Sequence, residues 1–221
     1  MNALIRLARR VTPAVALAAA LGMSGCSSSD NGSSVQPAMH MNPKTSSLEA
    51  TLDTLLQAHV DLASDATREA LVGNQDGFNA AAGALDQNSQ DIANAIGSVY
   101  GADAGAKFLP LWRRHIGYVV DYTKALAGND KDGQDKAVNN LVQYTQDFGQ
   151  FIENATGGRL KQDAVAGLVK DHILGLKSVV DAQAKKDYQD EYSKLRDSEE
   201  HMSMIGNTLA GAIHDQFPDK F

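Results

Sequence analysis

The sequence predicts an all-α fold: a six-helix bundle built from three repeated helical hairpins. Three observations predict it. First, LLQAHVDLASDATREALVGNQDGF, LWRRHIGYVVDYTKALAGNDKDGQ and LVKDHILGLKSVVDAQAKKDYQDE superpose with one histidine each: His59, His115 and His172. Second, the copies share a helical apolar period. Leu55, Leu111 and Leu168 sit four residues before the histidine, Ala63, Val119 and Leu176 four after it, and Ala66, Tyr122 and Val179 seven after it. Third, no stretch alternates apolar and polar residues as a half-buried strand would. Hairpins of this kind cannot bury their stripes singly, so they must pack on one another.

Taken in order, residues 1–25 read as a lipoprotein signal peptide. Arg6, Arg9 and Arg10 form a basic start, and Ala14 to Leu21 form an apolar run too short to span a bilayer. The string Met23-Ser24-Gly25-Cys26 resembles a bacterial lipobox, whose cysteine receives palmitate-type acyl chains and becomes the mature N-terminus. Several such chains hold a domain firmly at a membrane. Ser27, rather than Asp, then implies the outer membrane, with the domain facing the periplasm of a Gram-negative cell. Residues 26–46, rich in Ser, Asn, Gly and Pro, read as a disordered tether with a reach of roughly 25 Å. Within it Met39-His40-Met41 offers two thioethers and an imidazole, donors that suit Cu(I) if the cluster is more than accidental.

Residues 47–221 form the helical domain, with hairpins at about 47–99, 103–155 and 161–215. Ser47 is a suitable N-cap for the first helix, which runs to Val72 and breaks at Gly73-Asn74 before a second from Asp76 to Val99. The next hairpin starts near Asp103, with Pro110 as either a kink or the true first turn, and breaks at Gly128 to Asp130. Gly157-Gly158 closes it, as glycine often does past a helix end. The last pair covers Gln162 to Lys185 and Asp187 to His214, with Phe217-Pro218 beyond. In the second helices Leu85, Leu141 and Ser198 align, as do Ile92, Phe148 and Ile205.

Composition excludes several classes. Cys26 is the only cysteine, which rules out thiolate metal sites and cysteine nucleophiles in the helical domain and means that it needs no disulfide. Residues 1–25 hold three of the 20 basic residues and no acid, leaving 17 basic against 27 acidic residues, a net charge of −10. Nucleic acid and anionic headgroups are therefore not expected as direct partners. The chain has no HExxH, no Glu-x-x-His pair repeated across helices, and no phosphate-binding glycine loop.

The candidate chemistry lies in the repeated histidines. A buried imidazole costs desolvation unless its nitrogens find partners, so packing alone does not favour three at one depth. Duplication of one hairpin would copy the residue without a use. A shared polar site between helices would use all three. Geometry separates these readings: hairpins closed around a threefold axis bring His59, His115 and His172 together, whereas an open solenoid keeps them a helix spacing apart, about 8–10 Å. His201, aligned with Tyr144 and Asn88, joins the candidate set, and Met204 beside it adds a thioether; Met202 falls on the apolar stripe and reads as core filler. Asp91 and Asp147 align with Met204 and read as solvated edges. Imidazole suits copper, zinc or, third, haem iron, and thioether favours reduced copper.

The words LWRRHIGYVVDYTKAL, AVNNLVQYTQDFGQF and AVAGLVKDHILGLKSVVDA resemble those of little-characterised exported bacterial helical proteins, some of them labelled copper amine oxidase-like; the resemblance covers roughly residues 99–217. Copper amine oxidases build a quinone from a tyrosine in an Asn-Tyr-Asp/Glu setting, and no tyrosine here follows an asparagine. The expectation is a lipid-anchored extracytoplasmic protein that binds a metal ion or haem through His59, His115, His172, His201 and Met204. The other expectation is a non-catalytic envelope module, structural or interacting, with ordinary core histidines.

Overall fold

A computed structural model describes residues 43–220. The signal segment, Cys26, the Met39-His40-Met41 cluster and all but the last four tether residues lie outside the described residues. Six helices follow in order: α1 (Pro43–Leu71), α2 (Gln75–Tyr100), α3 (Ala102–Ala127), α4 (Lys131–Ala155), α5 (Gln162–Lys185) and α6 (Tyr188–Gln216). Among the described residues there is no strand, and no helix is long and apolar enough to cross a membrane.

One expected boundary changes, and one open alternative is decided. The first helix begins at Pro43 instead of after Ser47, so it takes in the end of the expected tether. Proline suits a first helical position, because its missing N–H would be unpaired there anyway. Pro110 lies inside α3 and does not start it. The carbonyl it deprives of a donor, that of Ala106, is on an exposed residue where water can serve.

The repeat extends to the turns. Asn74, Asp130 and Asp187 cap α2, α4 and α6, accepting from the amides of Gly77, Gly133 and Asp190 at 3.1, 3.0 and 3.1 Å. Their own amides donate to the carbonyls of Glu69, Ala125 and Ala182, the wrap that closes the preceding helix. Between helix and cap, Gly73, Asn129 and Lys186 adopt positive φ of 75°, 54° and 59°. Only the first copy has glycine there, where a left-handed backbone is without strain.

The hairpins close into a ring. Each helix packs on its chain neighbours, and α6 returns to α1. The inner helices α1, α3 and α5 also meet one another across the middle, with α2, α4 and α6 set outside between them. One large apolar cluster, including Leu52, Leu56, Ile92, Phe108, Phe148 and Ile213, fills the end away from the hairpin turns. Two smaller clusters, around Leu85, Leu176 and Val179 and around Tyr122 and Val180, fill the turn end. Near the turns a buried polar network ties α1, α5 and α6. Glu191 accepts from Arg68 Nε at 2.9 Å and from Gln183 Nε2 at 3.2 Å, while Gln183 also donates to Ser64 and accepts from Thr67.

Candidate metal centre

The histidines sit where the large cluster gives way to the small ones, one on each inner helix. The residues four before and four after each histidine share its face, so the imidazole is held on the inward stripe and ring closure turns all three toward the axis. His59, His115 and His172 are 1, 3 and 5 % exposed. One ring nitrogen from each lies within 4.8 Å of the others. The tightest pair is His59 Nε2 and His115 Nε2, 3.3 Å apart. Two nitrogens bound to one tetrahedral ion at bond lengths of 2.0–2.1 Å stand about 3.3–3.4 Å apart, so this pair already has the spacing of shared ligands. The His172 ring is further out, with centroids 6.0 Å from His59 and 6.5 Å from His115, and has to swing inward to complete a common site. The three form a group that can hold a metal ion.

Aromatic rings wall the group. Trp112 lies 4.8 Å from the His59 ring and 4.7 Å from the His115 ring, and Tyr144 stacks on His115 at 5.0 Å. Polar atoms are left over: Nδ1 of His59, Nδ1 of His115 and both nitrogens of His172 find no hydrogen-bond partner among the described residues. Buried polar atoms are nearly always paired, so four orphans in one spot require an explanation. Burial also keeps the rings neutral. It holds the His115 pKa at about 3, with help from the nearby His172 and against the pull of the Trp112 carbonyl. His172 is held at about 4 by burial and then by His201, and His59 is pushed well below its ordinary value by burial and its two histidine neighbours. Neutral imidazole is the form that ligates metals, so no proton has to be displaced near neutral pH.

The other expected ligands are placed elsewhere. His201 is half-buried, and its Nε2 meets the Leu168 carbonyl at 2.9 Å, so that nitrogen must donate and is already used. Asn88 does the same in its own copy, donating to the Leu55 carbonyl at 3.0 Å. Asn88 and His201 thus fasten their outer helices to the inner partners, whereas Tyr144, third in the row, stacks on His115 and its hydroxyl has no partner among the described residues. Met204 is 50 % exposed on the outer face and cannot reach the buried rings. Met202, two positions earlier and so about 200° round the helix, is 1 % exposed and shares a void with His115 and His172. Asp147 pairs with Arg114 and Asp91 accepts from Gln87, both on the outside. The voids flanking the histidines measure about 20 and 30 Å³, room for a water or two and far smaller than a porphyrin. Sequence reasoning missed the part played by Trp112, although its place one turn before His115 was the available signal.

No family model, curated protein or solved structure matches this chain.

Proposed function

We propose that this protein binds one ion of copper or zinc through His59, His115 and His172, and that it does so as a lipid-anchored domain outside the cytoplasm. The observation that carries the reading is the convergence of three neutral buried imidazoles, one ligand atom from each within 4.8 Å, with His172 holding two unpartnered nitrogens from which an ion could take one. A buried ring is ordinarily hydrogen-bonded, and even half-buried His201 is bonded to the Leu168 carbonyl. A metal ion would take one nitrogen from each ring and offset the desolvation cost of burying them. The envelope placement is supported by the lipobox-like string before Cys26, by the resemblance to exported helical proteins and by the acidic balance of the domain. Among the described residues the rings are lined by Trp112, Tyr144 and mostly apolar side chains, which supports binding, buffering or transfer of the ion.

Metal analysis of protein purified without an affinity tag tests it. One equivalent of copper or zinc is expected, and none in a variant with His59, His115 and His172 all changed to alanine. The chain's single tryptophan, Trp112, touches two of the three rings, so its fluorescence is expected to change with loading. Equal metal content in wild type and triple variant refutes the site, and the structural module with core histidines then becomes the better account.

A further inference from the structure

Resting on that reading of the histidines, we infer that the centre selects monovalent copper, and that the thioether of Met202 supplies its remaining donor. Charge is the first argument. The residues lining the two voids beside the rings include no carboxylate and no other anion. The ion must therefore keep its full charge in an apolar setting of Leu56, Trp112, Phe148, Val119 and Leu176. The cost of burying an ion grows with the square of its charge, so a divalent ion meets about four times the penalty of a monovalent one. Zn(II) and Cu(II) proteins usually lower that charge with a carboxylate, thiolate or hydroxide. Among the described residues lining these voids there is no carboxylate or thiolate to do so, and the Tyr144 phenol is the one weak acid there.

The second argument is the repeat itself. The positions equivalent to Met202 are Ser89 and Thr145, and both are buried hydroxyls bonded to their own helices, at the carbonyls of Leu85 and Val142. Only the third copy puts a long, unbranched sulfur side chain there. It is almost fully buried and lines the same void as His115 and His172. The His172 ring on that void has neither nitrogen partnered. Three imidazoles and one thioether are a donor set that favours Cu(I) over borderline divalent ions.

The test titrates the full chain anaerobically, with Cu(I) against bathocuproine disulfonate and with Zn(II) against a chromophoric zinc chelator. One Cu(I) per chain is expected, held at least about a thousandfold more tightly than Zn(II). Met202→Leu, close in size, is expected to weaken Cu(I) by about tenfold or more, leave Zn(II) within about threefold, and keep the helical circular dichroism. X-ray absorption of the copper-loaded wild type should show a sulfur neighbour that the variant lacks. Zn(II) bound at one equivalent as tightly as Cu(I) overturns the selectivity while leaving the histidine site standing. An unchanged copper shell and affinity in Met202→Leu overturns the thioether's role. Wild type that binds neither ion removes both this inference and the reading on which it rests.

Discussion

Replacing His172 by leucine is expected to make the metal-free protein more stable, not less. The side chain is 5 % exposed and neither ring nitrogen has a partner. A buried polar group left unpaired costs about 1–3 kcal/mol, and leucine removes both polar atoms at similar volume. Reshaping a packed core costs under about 1.5 kcal/mol for a swap of matched size, so the net change runs from about −0.5 to 3 kcal/mol and centres on a gain of about 1 kcal/mol. Urea unfolding of the metal-free protein should show a higher midpoint with an unchanged slope, and the melting temperature should rise by roughly 2–8 °C. Copper should then reverse the order. At a hundred times its dissociation constant a ligand adds about 2.7 kcal/mol to wild type, and it should add little to the variant. A metal-free His172→Leu protein that loses 1 kcal/mol or more would refute the reasoning, because the imidazole would then be earning its place through packing.

Three other outcomes follow from the same structure and a fourth from the lipobox-like string before Cys26. The unfolded chain takes up protons at its histidines below about pH 6.5, whereas buried His115 and His172 do so only near 3 and 4. Stability should therefore be full above about pH 6.5 and fall by several kcal/mol as pH drops toward 4, and a His59/His115/His172 triple leucine variant should flatten that slope in pH-dependent urea unfolding. Lys186→Gly should stabilise by about 0.5–1 kcal/mol, because Lys186 holds the left-handed φ of 59° that Gly73 holds in the first copy; thermal melts decide it. Arg68→Leu should cost more than Glu191→Leu, by calorimetry, because it strands a carboxylate that is 1 % exposed, whereas the Arg68 side chain is 30 % exposed and can be hydrated. Cys26→Ser should release the protein from the membrane fraction without change in helix content, and membrane association that persists in high salt would rule out the acyl anchor.

The sequence shows the three hairpins because each copy carries the same stripe, caps and break, down to Asn74, Asp130 and Asp187. It does not show whether the hairpins close. An open stack and a closed ring bury the same apolar residues, and the difference lies in the contact of α6 with α1, between segments with no pattern linking them. Once the ring closes, the convergence of His59, His115 and His172 follows from their place on the inner face. The choice between two methionines failed for a different reason. Met202 falls on the apolar stripe and reads as interior from the sequence, whereas Met204 reads as a donor beside His201 although helical phase turns it to the opposite, exposed side. His201 was misplaced because its row lies at the edge of the stripe, where a ring reaches a neighbouring carbonyl before it reaches the axis.

Duplication explains why three histidines exist, but it does not explain why all three remain. The other buried polar rows have drifted: Thr67, Thr123 and Val180 now differ, as do Asn88, Tyr144 and His201, and Ser89, Thr145 and Met202. Among the buried positions where any copy is polar, the histidine row alone holds one residue type in all three copies. That row is also among the least satisfied, since four of its six ring nitrogens are unpaired. A residue copied without use would be the easiest to lose, because an apolar substitute at any of the three places would relieve the cost. Retention at this row, beside drift at the other buried polar rows, is what a shared ligand requires: removing one ring of three would spoil the site for the other two.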